Sequence, residues 1–280
     1  DILTTYAIAG VLVFGLRRLA ARTLLMLGAL FLVLNALWSF TGTALEDLPL
    51  LEAGPRLEAQ ADAGARLTGA DRETLEDWRN LRAGGPPTPE AIEETRAARL
   101  SGYWSNLAFQ AEVTWNQWLD WGSQVWIITD SITFILIGMA LFRLGVLQGR
   151  ASRATYVRMA LVGYGVAFAL RIWEVSFAFD AIGGWEPTRT GLVVPQLLYQ
   201  PGRLLMTLGH IGLFHLLFMR HGGAGLFRAL GDLGRMAFTG YLGQSALAAI
   251  AISGFGLALW GRLDVAAMFV LAAIIWIVEL

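Results

Sequence analysis

Long apolar stretches, most of them bounded by arginine, alternate with shorter polar segments along the chain. An apolar stretch needs roughly 17–25 residues to cross a bilayer as a helix. Seven stretches fall near or within this length: 2–16, 24–40, 125–147, 157–179, 197–219, 236–259 and 265–278. Because lipid offers no hydrogen-bond partners, such spans must satisfy their backbone groups as helices. The pattern predicts an all-α, polytopic transmembrane helix bundle of about seven spans.

Composition narrows the class of protein further. The chain is 56% hydrophobic and 15% charged, whereas soluble domains are roughly 25% charged. A net charge of −1 provides no field that would attract nucleic acid. The chain has no Cys, which excludes disulfides and thiolate catalysis. We therefore expect membrane lipids as partners and no nucleic acid, with a homo-oligomer or membrane partner subunits left open.

Arginine is distributed asymmetrically between alternate loops. Cytoplasmic loops of membrane proteins are enriched in basic residues. One set of loops holds Arg17, Arg18, Arg22, Arg143, Arg150, Arg153, Arg158, Arg220 and Arg228, and the opposite short loops hold only Arg189 and Arg262. This predicts that Gly149 is cytoplasmic and that Asp1, the Trp185 turn and the Trp260 turn face outside. Since the chain starts at Asp1 without a signal-peptide pattern, we expect that an N-terminal part precedes it.

A long segment between the second and third spans differs from the rest of the chain. Residues 44–100 hold twelve acidic residues against seven Arg, and 83–89 is rich in Gly and Pro. We predict an external loop with short surface helices over 71–81 and 89–100, either a solvated cap or a lid. A Trp-rich interfacial helix follows, although its rings would also suit carbohydrate stacking. The predicted domains are 1–43 (two spans), 44–123 (external loop and interfacial helix) and 124–280 (helix bundle).

Ionisable residues inside spans are costly in lipid and are candidate functional residues. Asp130, in the third span, is either a substrate-facing carboxylate or a residue near interfacial water. Arg171 and Glu174 are three residues apart, so they share a helix face and are expected to pair with each other. A substrate-binding role for this pair remains the alternative.

The fifth and sixth spans hold the remaining candidates. Pro201-Gly202 predicts a helix break, below which Arg203 and His210 share a face. Arg203 could bind an anion and His210 could move a proton, although a lone intramembrane His is often a packing residue. In the sixth span Arg235, Tyr241 and Gln244 are candidate substrate-binding residues, or else parts of a closely packed helix. His210 and His215 are five residues apart and cannot share a metal on one face, so no metal site is predicted.

Three runs in the chain resemble the YeiB-type bacterial membrane proteins. The longest is Gly-Arg-Met-Ala-Phe-Thr-Gly-Tyr-Leu-Gly-Gln over 234–244, and the others are Asp-Ile-Leu-Thr-Thr-Tyr over 1–6 and Leu-Ile-Gly-Met-Ala-Leu-Phe-Arg over 136–143. Gly240 departs from the Asn that is common in the family. The resemblance implies a multi-pass protein of the bacterial cytoplasmic (inner) membrane that is related by fold to membrane acyltransferases. It also implies that early spans and a family His precede residue 1.

Three functions follow as hypotheses. The first is an acyltransferase-like protein that moves an acyl group to an extracytoplasmic or lipid-linked acceptor. His210 or the preceding family His would be the base, and no cofactor would be permanently bound. The resemblance implies a donor such as acetyl-CoA, whose anionic groups Arg203 and Arg235 would hold. The alternatives are a transporter of a small anionic or lipid-like substrate, using a broken helix near Arg203, and a non-catalytic membrane partner subunit.

Overall fold

Helices are the regular elements of the computed structural model, which describes residues 2–83, 89–179, 187–222 and 225–279. No strand occurs within these residues, so the all-α prediction is confirmed. In chain order the α-helices are α1 (Ile2–Val13), α2 (Ala21–Gly42), α3 (Leu48–Asp62), α4 (Gly69–Ala83), α5 (Pro89–Leu100), α6 (Tyr103–Leu119), α7 (Trp121–Arg143), α8 (Arg153–Phe179), α9 (Arg189–His221), α10 (Gly225–Arg235), α11 (Ala237–Ile252) and α12 (Val265–Glu279).

Four helical segments in the described part of the chain are long and apolar enough to cross a bilayer. They are Ala21–Asp62, Trp121–Arg143, Arg153–Ser176 and Arg189–His221. The apolar helices α1, α11 and α12 have 12, 16 and 15 residues. At about 1.5 Å per residue, these three are shorter than a hydrocarbon core of about 30 Å. The chain is a polytopic helical membrane protein.

The second span continues farther than its hydrophobic pattern predicts. A π-helical segment, Thr43–Asp47, joins α2 to α3, so the helix runs on to Asp62. The expectation that residue 44 begins a loop is therefore wrong. No Gly or Pro occurs between Thr43 and Asp47, so nothing in this stretch of sequence interrupts the helix. The two short helices predicted farther on are present as α4 and α5, and most of the Pro-Gly segment between them lies outside the described residues.

The sixth predicted span ends early. Instead of reaching Leu259, α11 ends at Ile252, and turns occupy the following residues. Gly254 and Gly256 favour chain reversal here, and the Leu257 amide donates back to the Ile250 carbonyl at 2.8 Å. The Trp260 turn is present, whereas the Trp185 turn lies outside the described residues.

The described chain divides into two compact units. The first comprises Asp1–Pro86 and Trp121–Leu216, and the second comprises Pro87–Asp120 and Leu217–Leu280. In the first unit, α1 and α2 pack on α7. Their contact is an apolar core formed by Ala9, Val13, Leu24, Ile132, Leu136 and Ala140.

Glycines bring α8 and α9 into backbone contact within the first unit. A Cβ added to Gly163 would lie 2.6 Å from the Gly209 nitrogen and 2.7 Å from the Leu205 carbonyl oxygen. One added to Gly212 would lie 2.6 Å from the Tyr156 carbonyl oxygen. Small residues allow this close approach of helices in membranes. The contact fixes α9, and with it the polar side chains described below.

In the second unit, the turn after α11 docks on the end of α5. The Gly254 amide donates to the Arg99 carbonyl at 3.1 Å, and a Cβ at Gly254 would collide with the Leu100 backbone. The buried Asn106 of α6 donates to the same Arg99 carbonyl at 3.1 Å. The end of α5 is thereby fixed against this turn.

Candidate functional site

Asp130 and Arg203 form a bidentate ion pair between α7 and α9. Arg203 Nη1 and Nη2 donate to the two Asp130 carboxylate oxygens at 2.9 Å and 3.1 Å. The Asp130 and Arg203 side chains are 14% and 32% exposed. The Gln200 amide donates to the same carboxylate at 2.8 Å. Two donors from α9 thus stabilise the ionised Asp130 where α7 and α9 meet.

Tyr199 links this pair to the second pair predicted from the sequence. Arg171 donates to Glu174 at 2.6 Å, so the expected pair is present on α8. The Arg171 guanidinium also donates to the Tyr199 carbonyl at 3.4 Å and lies 5.4 Å from the Tyr199 ring centroid. Arg203 lies 5.1 Å from the same centroid. We call the set of Asp130, Arg171, Glu174, Tyr199, Gln200 and Arg203 the charged cluster.

The Pro-Gly pair in α9 has a different effect from the one predicted. Helix α9 continues from Arg189 to His221 through Pro201, so the predicted break is wrong. A Cβ at Gly202 would lie 3.4 Å from Arg171 Nε. Glycine at position 202 therefore leaves room for the Arg171 guanidinium beside α9.

An open cavity lies toward the N-terminal end of α7 from the charged cluster, and polar and aromatic side chains line it. The cavity is about 330 Å³ and is lined by Trp38, Ser39, Gly122, Ser123, Trp126 and Gln196. Trp126 donates to Ser39 at 3.1 Å, and its ring centroid lies 6.4 Å from that of Tyr199. The cavity and the charged cluster therefore share an aromatic contact.

One acceptor in the charged cluster has no partner. Gln200 is 2% exposed, and its Oε1 is buried without a hydrogen bond. Most buried polar atoms in native proteins are hydrogen-bonded, so such an atom needs an explanation. Gln200 is thus the member of the charged cluster whose hydrogen bonding is incomplete.

His210 and His215 lie on α9 below the charged cluster and resemble each other in one respect. In each, Nδ1 donates to the carbonyl four residues earlier in the helix. His210 donates to the Met206 carbonyl at 2.7 Å, and His215 donates to the Ile211 carbonyl at 2.9 Å. Because a carbonyl oxygen only accepts, Nδ1 carries a proton in both rings, and Nε2 is the nitrogen that is free of this bond. The environments differ: exposed His210 meets the edge of Tyr164 at 5.3 Å, while His215 stacks on buried Tyr156 at 4.7 Å.

The other candidates lie in the second unit. Arg235 pairs with Asp232 at 3.1 Å, and both side chains are exposed. Gln244 donates to Glu279 at 2.7 Å, whereas the other Glu279 oxygen, Oε1, is buried without a partner. A cavity of about 440 Å³ is lined by Gly225, Arg228, Ala229, Asp232, Leu233, Met236 and Glu279. Substrate binding by Arg235, Tyr241 and Gln244 stays a prediction, as does a cavity shared by His210, Arg203 and Arg235.

The sequence indicated some parts of these sites and missed others. Asp130, Arg171, Glu174 and Arg203 were candidates because charges within apolar spans are costly. Gln200 and Glu279 were missed, although Gln200 directly precedes the Pro-Gly pair and Glu279 ends an otherwise apolar helix. Among the described residues, no three His, Cys, Asp or Glu side chains form a group that could hold a metal ion.

A comparison with known protein families finds a match, which covers the C-terminal half of the chain. Residues 141–280 match the family described as "Protein of unknown function (DUF418)". The chain belongs to the DUF418 family. The matched region of this family includes α9 and the 234–244 run. No curated protein and no solved structure matches the chain.

Proposed function

We propose that this DUF418 chain is a YeiB-type, acyltransferase-like protein of the bacterial cytoplasmic membrane. It would move an acyl group from a cytoplasmic thioester donor such as acetyl-CoA to an extracytoplasmic or lipid-linked acceptor. The observation that supports this most is the charged cluster, in which three helices bring four ionised side chains together beside an unsatisfied Gln200 oxygen. Burying these charges is costly, which favours a functional reason for their position.

The acceptor would enter through the 330 Å³ cavity. Trp38 and Trp126 supply aromatic walls, and Ser39, Ser123 and Gln196 supply polar contacts. Mostly apolar or aromatic walls with a few convergent polar groups are typical of small-molecule sites.

His210 would be the base of the reaction. Seven residues after Arg203, it lies about 10 Å farther along α9 at 1.5 Å per residue. Its Nδ1 donates to the Met206 carbonyl, so Nε2 can accept a proton. The acceptor oxygen loses its proton to Nε2 and bonds to the acyl carbon. The carbon–sulfur bond of the thioester then breaks, and the thiolate leaves and takes up the proton.

The transporter hypothesis loses its structural basis in α9. It required a discontinuous helix near Arg203, whereas α9 is continuous there. Both terminal nitrogens of Arg203 already donate to Asp130, and this counts equally against Arg203 as the residue that holds an acyl donor's anionic groups.

Acyl transfer by the complete protein in nanodiscs tests the proposal. Radiolabelled acetyl-CoA would be supplied with a bacterial membrane-lipid and glycan extract, and label in the extract would be measured. We expect transfer by the wild type and a loss of about 100-fold in His210→Gln, the usual scale for a general base. His221→Gln, at the exposed end of the same helix, is the matched control and should retain activity.

Two results would contradict parts of this scheme. Full activity in His210→Gln would remove His210 from the chemistry. An absence of transfer by the folded wild type with every acyl-CoA chain length supplied would reject the acyltransferase assignment.

A further inference from the structure

Arg99, near the end of α5, is an arginine with aromatic neighbours and no carboxylate partner among the described residues. Its guanidinium lies 4.4 Å from the Trp260 ring centroid and 5.7 Å from that of Phe109. Its Nε is buried and has no hydrogen-bond partner. By contrast, Arg96 on the same helix pairs with Glu93 at 3.3 Å. Arg99 thus has no counter-charge among the described residues, and its guanidinium is held beside an indole ring.

The backbone around Arg99 fixes its position. Its carbonyl accepts from Gly254 and from Asn106, so the end of α5 is held between α6 and the turn that follows α11. Trp260 lies in the same turn, where the Trp260 amide donates to the Ile252 carbonyl at 3.2 Å. The contact between the guanidinium and the indole therefore rests on anchored backbone on both sides.

Trp260 also lines an apolar cavity between α11 and α12. The cavity is about 440 Å³, and its walls include Ala248, Ile252, Leu263, Met268, Leu271 and Ala272. No acidic or basic residue lines it. Its volume is in the range of ligand sites and suits a flexible hydrocarbon chain. The Trp260 ring thus lies between this apolar cavity and the Arg99 guanidinium.

We propose that this part of the second unit binds an anionic phospholipid. The phosphate would accept hydrogen bonds from the Arg99 guanidinium, and an acyl chain would occupy the cavity behind Trp260. Arginine binds phosphate through several parallel donors, and indole rings favour the headgroup level of a bilayer. The site uses no residue of the proposed acyl-transfer reaction.

Native mass spectrometry of the delipidated full chain in detergent tests this proposal. The probes are phosphatidylglycerol and phosphatidylcholine with identical acyl chains. We expect the wild type to prefer phosphatidylglycerol by about tenfold, and Arg99→Gln to lose most of that preference, because one charge-assisted contact is removed. Arg79→Gln, an exposed arginine of α4 in the first unit, should behave as the wild type.

A second pair of variants tests the apolar half of the site. Ala272→Phe would fill the cavity and should weaken the binding of both lipids, while Ala273→Phe, a neighbour that does not line the cavity, should not. Inorganic phosphate at the lipid concentration should not displace phosphatidylglycerol. Equal binding of the two lipids by the wild type, an unchanged preference in Arg99→Gln or full displacement by phosphate would overturn the proposal.

Discussion

Asp130 and Arg203 show how one residue pair can hold two apolar helices of this chain together. Each is a charge within an apolar helix, and each is partly shielded from water. Removing one member leaves the other uncompensated, which is far more costly than removing both. The pair is therefore expected to stabilise the contact between α7 and α9.

Asp130→Asn should destabilise the protein by about 3 kcal/mol, the lower end for a buried pair, because Arg203 remains 32% exposed. Thermal unfolding in detergent, followed by tryptophan fluorescence, measures the change. The double variant Asp130→Leu with Arg203→Met should recover most of the stability, and Glu112→Gln on exposed α6 is the surface control. If Asp130→Asn unfolds at the wild-type temperature, the pair does not stabilise the fold.

Sequence spacing predicted one ion pair of the charged cluster and missed the other. Arg171 and Glu174 are three residues apart on α8, so helix geometry alone places them together. Asp130 and Arg203 are 73 residues apart, and their contact depends on how α7 and α9 pack. Both had been candidates as single residues, since the cost of an isolated charge in lipid is visible in a sequence. Which partner neutralises each charge is a tertiary property.

At the scale of the helix, the effect of helix-breaking residues was harder to predict from the sequence than the position of apolar runs. Pro201 and Gly202 in α9 resembled a break, yet the helix continues and the glycine instead gives Arg171 room. Gly254 and Gly256 looked like part of a span, yet α11 ends before them. The effect of a glycine depends on what lies beside it. That neighbour belongs to another helix or turn, so the sequence pattern around the glycine does not reveal it.

Gly163 in α8 provides a test of helix packing with a control two residues away. A Cβ at Gly163 would lie 2.6 Å from the Gly209 nitrogen, whereas a Cβ at Gly165 would meet nothing within 4 Å. Because the obstacle is backbone, Gly163→Ala should destabilise the protein by about 1–3 kcal/mol. Gly165→Ala should be neutral or slightly stabilising, by up to about 1 kcal/mol. Equal unfolding temperatures for the two variants in detergent would mean that α8 and α9 do not pack through Gly163.

At the scale of the whole molecule, the length of the spans and the distribution of charge have separate causes. Hydrocarbon thickness requires long apolar helices, and α2, α7, α8 and α9 meet that requirement. Orientation depends instead on basic residues in short loops. Fold class could therefore be predicted from apolar runs alone, while orientation needs the loops to be compared with one another.

Orientation can be measured directly because the chain contains no Cys. We expect a Cys introduced at Ala70, on α4, to be external and one at Ser152, in the loop before α8, to be cytoplasmic. Both positions are exposed in the structure, and Ser152 lies among Arg143, Arg150, Arg153 and Arg158. A membrane-impermeant maleimide should label position 70 in intact cells and position 152 only after permeabilisation. Labelling of position 152 in intact cells would invert the topology and would place the cavity beside Trp126 on the cytoplasmic side, where an extracytoplasmic acceptor could not reach it.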